Sequence, residues 1–339
     1  MNRYDRQTHL PQFGEEAQRR LASSRVLLIG CGALGTVIAE QLVRGGIGSI
    51  CICDRDIVEL TNLQRQTLFT ERDAADGIPK AVAAATRLSA INSTVTIEPH
   101  VVDIHSGNIE SLLAGVDLVI DGTDNLETRY LLNDAAVKHE KPWVYGACVG
   151  TGGRAMGIIP KRTPCLRCLF PNPPGAGELP TCETAGVLAC AAAVAASLEV
   201  AEALKILLGD ESAGANLITF DLWPTRFREI STAGARRDDC PTCAQRRFEF
   251  LDARTSGATV LCGRNTVQIR PAHAVALDMK SIAAAMKIAG DVQQTSFFTR
   301  LSLPGKKITL TLFPDGRALV HGTSDPAAAR SIYARFIGI

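Results

Sequence analysis

The ten residues VLLIGCGALG, Val26 to Gly35, constrain the fold of this chain more than any other stretch. Val26 to Ile29 is an apolar run without polar alternation, the pattern of a strand buried on both faces. The Gly-x-Gly-x-x-Gly that follows (Gly30, Gly32, Gly35) predicts a tight turn, close backbone approach to a phosphate, and a helix packed against the sheet. Ala33 to Arg44 supplies that helix, Gly45-Gly46 closes it, and SICICD is a second strand ending at Asp54. Asp54 lies 24 residues after Gly30, near the usual place of a ribose-binding carboxylate. Such a turn suits any phosphorylated ligand, NAD and ATP alike.

The alternation continues with a helix from Pro79 to Ile91, the strand VTIEPHVV, the strand LVIDGTDN and the helix LETRYLLNDAAVKHE. It predicts a doubly wound, Rossmann-like α/β sheet with ligands at the carboxyl ends of its strands. After Pro142 the pattern changes to antiparallel strands, WVYGACVGTGGRAMGIIP and NLITFDLWPTRFREI, around a Pro/Gly-rich loop, NPPGAGELPT. From about Thr259 a strand, a helix, two alternating strands and a last helix predict a small α+β unit. The expected division is residues 1–250 and residues 259–339.

A net charge of +1 gives no electrostatic reason to expect nucleic acid or an anionic membrane as partner. The polar start MNRYDRQTHL has no signal-peptide core, and the most apolar segment, residues 186 to 198, falls short of the ~20 residues of a membrane span. Glu199, Glu202 and Lys205 extend that segment as a buried helix, and a cytoplasmic location is the expectation. In that setting 11 cysteines favour metal binding, catalysis and core filling over disulfides.

Chemistry concentrates beyond the glycine turn. DIVELTNLQRQTLF brings Asn62, Arg65 and Gln66, GIPK brings Lys80, and DGTDN brings Asp121 and Asp124 to the end of a strand. A dinucleotide pyrophosphate needs helix-terminal amides and at most one cation. Two cations, an amide and a strand-end carboxylate suit a triphosphate with Mg2+, Asp124 holding the ion. Singly, Lys80 reads equally as a solvated helix start and Asp124 as an N-cap.

CLRC and CPTC, with Cys165, Cys168, Cys240 and Cys243, have the spacing of a four-thiolate Zn2+ site that joins distant parts of the chain. Cys182, before an apolar helix, has its thiolate favoured by the helix dipole, and an unreactive cysteine there is an equal reading. Cys51, Cys53, Cys148 and Cys190 read as core.

These pieces, with RYDRQ near the start, GCGALG and LPTCETAGV, resemble the ThiF/MoeB/HesA family, bacterial relatives of ubiquitin-activating enzymes, over residues 3 to 243 in the family's order. The resemblance implies a dimeric adenylyltransferase that uses ATP and Mg2+ to activate the C-terminal glycine of a small ubiquitin-like sulfur carrier ending in Gly-Gly. It implies that Asp54 holds the ribose, that Asn62, Arg65 and Lys80 contact the phosphates, and that Asp124 coordinates Mg2+. Arg6 would reach ATP in the partner subunit, and the cysteine quartet would hold Zn2+. Cys182 would fall at the thiol that some members use in sulfur transfer, with a donor such as a cysteine desulfurase. The tail after Cys262 has no cysteine for a rhodanese loop and resembles the extension of thiamine-pathway members. That favours a ThiS-like carrier over a MoaD-like one in molybdopterin synthesis. An NAD-dependent oxidoreductase and a non-catalytic scaffold for a ubiquitin-like protein are the rivals from other classes.

Overall fold

The computed structural model describes residues 3–174, 182–252, 258–261, 265–271, 277–305 and 307–337. Its contacts divide the chain into two units, Met1–Ala253 and Arg254–Ile339.

The first unit is built on one eight-stranded sheet in the order β3-β2-β1-β4-β5-β6-β7-β8. β1 (Arg25–Ile29) runs parallel between β2 (Ser49–Cys53) and β4 (Leu118–Asp121), with β3 (Thr96–His100) outside β2. The buried run behaves as its composition dictates. Val26 and Leu28 pack on one face with the helix Ala33–Gly45, while Leu27 and Ile29 pack on the other with the helix Leu126–Lys138. β5 (Trp143–Val149) is parallel to β4, and β6 (Gly152–Ile158), β7 (Asn216–Asp221) and β8 (Arg226–Ser231) follow antiparallel, the predicted mixed sheet. The helix Ala189–Leu208 lies against this half, and its alanines at 191, 192, 195 and 196 are buried. No helix among the described residues is long and apolar enough to cross a membrane.

The chain leaves β1 for β2 on one side and returns at β4 on the other, so the strand order reverses beside β1. That reversal leaves a crevice at the carboxyl ends of β1 and β4. Gly30 there has φ +88°, a left-handed conformation, and a Cβ on Gly35 would collide with the Gly30 carbonyl oxygen. A Cβ on Gly122, after β4, would collide with the same oxygen. Only glycines let β1, β4 and the helix Ala33–Gly45 meet this closely.

The second unit is a six-stranded antiparallel sheet, β11-β12-β13-β14-β10-β9, in which β10 is Thr266–Ile269, β12 Thr299–Leu303 and β13 Ile308–Leu312, with the helices Met279–Met286 and Pro326–Ile337. Val267, Leu301, Leu310, Val320 and Tyr333 are among its core residues. Three of its strands, β9 (Ala258–Leu261), β11 (Asp291–Gln294) and β14 (Ala318–His321), are absent from the reading of the sequence. Each is four residues long, and DVQQ carries no apolar alternation to betray it.

Gly35→Ala should lower unfolding stability by about 2 kcal/mol or more, the scale of overpacking against an immovable neighbour. Denaturant melts measure it; a loss below about 0.5 kcal/mol, an ordinary surface effect, would contradict the described packing.

Candidate functional site

The turn after β1 is held from both sides. Gly30 N–H donates to Cys53 O at 2.8 Å, and Gly122 N–H donates to Ile29 O at 2.7 Å. Asp54 follows directly on β2. One of its carboxylate oxygens accepts Cys31 N–H at 2.6 Å, the other Asp56 N–H at 2.7 Å. It therefore fixes the turn, and since a carboxylate has about four acceptor positions it keeps capacity for a ligand hydroxyl. Burial pushes its pKa up, while the Lys80 ammonium pulls the other way.

Lys80 starts the helix Lys80–Ile91 yet is buried, with Nζ 3.1 Å from Asp56 Oδ2. A solvated helix start is thereby excluded. Asn62 is buried, and its Oδ1 accepts Glu59 N–H at 2.9 Å in a capping box. Arg65 is half-buried and donates to Thr61 O at 2.9 Å. Gln66 is buried, Oε1 has no hydrogen-bond partner, and Nε2 would lie 3.8 Å from a Cβ placed on Gly32. An unsatisfied buried amide oxygen beside the glycine turn needs a partner that the protein does not supply.

Asp124 is exposed at the end of β4, and the N-cap of the helix Leu126–Lys138 is Asn125, whose side chain accepts Thr128 N–H at 2.8 Å. The capping reading of Asp124 is excluded, which leaves its carboxylate open to a ligand. Asp121 is wholly buried: it accepts from Thr123 N–H (2.9 Å) and Oγ1 (2.6 Å) and pairs with Arg129 Nε at 2.7 Å. Arg129 also donates to Thr123 O at 2.7 Å, so the segment presenting Asp124 is clamped at its base.

The structure does not bring Arg6 to this group. Arg6 is exposed on the short helix Asp5–Thr8, and the adjacent Gln7 donates to Gly45 O at 3.0 Å, at the far end of the helix that begins beside the glycine turn. Cys182 starts the helix Cys182–Ala185, but its side chain lies outside the described residues, as do residues 175–181 of the Pro/Gly-rich loop and Cys262.

The thiols of Cys165, Cys168, Cys240 and Cys243 converge, every sulfur within 4.8 Å of the others. Cys165–Cys168, Cys165–Cys240 and Cys168–Cys243 separations are 3.9, 3.5 and 3.4 Å. Zinc–sulfur bonds of about 2.3 Å place tetrahedral sulfurs about 3.8 Å apart, so the quartet is compatible with zinc. Asn133 and Asp134, both buried on the helix Leu126–Lys138, hold its two halves. Asn133 accepts Leu166 N–H at 2.9 Å, and Asp134 accepts Thr242 Oγ1 at 2.8 Å and Phe250 N–H at 2.9 Å. Cys51, Cys53 and Cys148 are buried as expected, but Cys190 is exposed. It sits in the first turn of the helix Ala189–Leu208, where not every position faces the sheet.

The sequence reading put Glu199 on a buried helix without giving it a role. Glu199 is fully buried, neither oxygen has a hydrogen-bond partner, and it occupies the space that a Cβ on Gly146 would take. Burial drives its pKa well above 4.5, Asp121 adds to the rise and Arg129 opposes it. Glutamates at helical spacing signal nothing unusual; only the missing side chain at Gly146 on β5 makes room for this one.

Comparison with known proteins places these features in context. The ThiF family profile matches residues 4–242. The sulfur carrier protein ThiS adenylyltransferase of Bacillus subtilis (strain 168) is 44% identical over 338 residues, 99% of both chains. The sulfur carrier protein adenylyltransferase of Thermus thermophilus is 41% identical over 72% of this chain and 90% of its own. The adenylyltransferase and sulfurtransferase MOCS3 of Culex quinquefasciatus is 38% identical over 71% of this chain and 55% of its own. Among solved structures, Escherichia coli MccB with ATP superposes with a TM-score of 0.60 at 24% identity, covering 72% of this chain and 74% of that one, a likeness of fold.

A raised carboxyl pKa stabilises the fold fully only below the unfolded value, 4.5 for Glu199; that contribution is lost as pH rises toward the folded value. Glu199→Gln should therefore gain stability over the unsubstituted chain, by a margin that widens as pH rises above the unfolded value of 4.5. Denaturant melts across that rise in pH measure it, and a margin independent of pH would contradict the buried neutral carboxyl.

Proposed function

We propose, given that this chain belongs to the ThiF family, that it is an ATP- and Mg2+-dependent nucleotidyltransferase activating the C-terminal glycine of a ThiS-like sulfur carrier for thiamine thiazole biosynthesis. The carrying observation is the end-to-end likeness to a ThiS adenylyltransferase. It spans 99% of both chains and so takes in the second unit, whereas the likeness to MOCS3 stops at 71% of this chain.

The residues present fit the nucleotide. Gln66 Oε1, buried without a partner, suits a donor group of the ligand, Asp54 keeps acceptor capacity for a ribose hydroxyl, and Arg65 and Lys80 supply positive charge. Asn62 spends its Oδ1 on Glu59, which leaves its NH2 group for a phosphate. Asp124 would hold Mg2+, which supplies charge neutralisation for departing pyrophosphate. The carrier's terminal carboxylate is already a nucleophile, so its attack on the α-phosphorus needs no general base. This chain's contribution is alignment and screening of anion from anion.

Arg6 fits a role across a homodimer. The helix Ala33–Gly45, 13 residues or about 20 Å long, separates its segment from its own glycine turn. The ATP-binding part of this reading occupies residues 1–250, and residues 259–339 form a separate small domain. Cys182 as a transfer thiol, and a cysteine desulfurase as sulfur donor, are carried by the family resemblance alone.

Asp124→Ala should reduce carrier-dependent ATP–pyrophosphate exchange by about 100-fold or more, the scale of losing a transition-state charge contact, with an unchanged melting curve. Full exchange in that variant would refute the metal role. Mixing Arg6→Ala with Asp124→Ala subunits should restore part of the activity, because one of the two composite sites is intact; heterodimers without recovered activity would place Arg6 elsewhere. The quartet should hold one Zn2+. Structural zinc contributes about 10–16 kcal/mol of apparent binding energy against a folding stability of about 5–15 kcal/mol. Cys240→Ser should accordingly lower the melting temperature by several degrees and release that ion; unaltered metal content would sink the assignment.

A further inference from the structure

Two groups of metal-ligating side chains occur among the described residues, the cysteine quartet and a second set of Cys51, Glu98 and His100. The second set plays no part in nucleotide binding as described above. Its origin is strand register. Cys51 and Cys53 alternate along β2 and so face one side of the sheet, and Glu98 and His100 alternate along β3. Parallel pairing puts Cys51 beside Glu98 and Cys53 beside His100. One donor atom from each of Cys51, Glu98 and His100 lies within 4.8 Å of the other two, and Cys51 Sγ is 3.9 Å from Cys53 Sγ.

Core filling accounts for two buried thiols, but not for a carboxylate and an imidazole converging on one of them. From this juxtaposition we propose that Cys51, Glu98 and His100 form a second metal site, suited to Zn2+, with Cys53 or water in the fourth position. A thiolate, an imidazole and a carboxylate are the borderline donor mixture that zinc accepts, and three protein ligands with one open position is a recurrent zinc arrangement. Bond lengths of about 2.0–2.3 Å require the donors to draw closer. Glu98 and His100, both half-buried, can do so by side-chain rotation while the strands stay in place. They also give the ion a route from solvent.

Arg25 competes for the same carboxylate, its NH2 lying 2.8 Å from Glu98 Oε2. That pair is 41% and 35% exposed, so solvent screens it and it offers little resistance to a divalent ion. With water in the fourth position, one thiolate and one carboxylate neutralise the ion, so Arg25 would face a site without net charge. The backbone links the clip to the crevice, since His100 O accepts Asp54 N–H at 3.1 Å and Cys53 O accepts Gly30 N–H at 2.8 Å.

The test is metal content, independent of activity. The full chain is incubated with excess Zn2+, desalted and subjected to elemental analysis, beside His100→Gln, Glu98→Gln and Cys51→Ala. The expected result is one fewer equivalent of zinc in the variants than in the unsubstituted chain, with the quartet's ion retained as the sign of an intact fold. If one substitution unfolds the chain, the other two decide. Equal zinc content in the unsubstituted chain and the folded variants would overturn the proposal.

Discussion

The carbonyl oxygen of Gly30 sits where side chains on Gly35 and Gly122 would otherwise be, and the first unit is organised around that contact. It brings the ends of β1 and β4 and the start of the helix Ala33–Gly45 together at the reversal of strand order. Peptide groups are thereby left at the mouth of the crevice with no side chains between them and a ligand. Asp54 then ties the turn to β2 through Cys31 N–H, and Lys80 is drawn into the interior by Asp56. Each of these charges is compensated within the protein, so an incoming polyphosphate must compete for partners already engaged. Gln66 Oε1 is buried without a partner, and as an acceptor it suits a hydroxyl or amine of a ligand and not a phosphate oxygen.

The helix Leu126–Lys138 connects the crevice to the thiol quartet. Its first turns carry Arg129, clamped to Asp121 beneath the segment that presents Asp124. Its later turns carry Asn133 and Asp134, which hold the backbone of one cysteine pair and the threonine within the other. Buried groups paired in this way, Asp121, Arg129 and Asp134 among them, resist rearrangement, because freeing one leaves its partner unpaired in a low-dielectric interior. The distance between CLRC and CPTC in sequence is bridged by this helix and by the thiols themselves.

What could be read from the sequence was local. The buried strand and glycine turn, the helices beginning near Ala33 and Pro79, and the paired Cys-x-x-Cys motifs declare themselves through spacing within a few residues. Features that depend on distant partners stayed hidden. Lys80 reads equally as a solvated side chain until Asp56 is seen 3.1 Å away, and Asp124 as an N-cap until Asn125 is seen in that position. Glu199 reads only as one residue of a buried helix, because the glycine that admits its carboxyl lies on β5, 53 residues earlier. Cys190, assigned to the core on the apolar character of its segment, is exposed because it lies on the helix face opposite the buried Ala191, Ala192, Ala195 and Ala196, the face it shares with exposed Ser197. Cys51, Cys53, Glu98 and His100 each fit an unremarkable strand, and only the register of β2 on β3 makes them neighbours.

The central claim is that this crevice holds ATP for attack by a carrier's terminal carboxylate. Intact mass spectrometry of a ThiS-like carrier ending in Gly-Gly, incubated with the protein, ATP and Mg2+, tests it directly. The account predicts a carrier species heavier by one adenylyl group, lost when the terminal glycine is removed. An unmodified carrier under those conditions, alongside turnover of NAD by the same preparation, would contradict it.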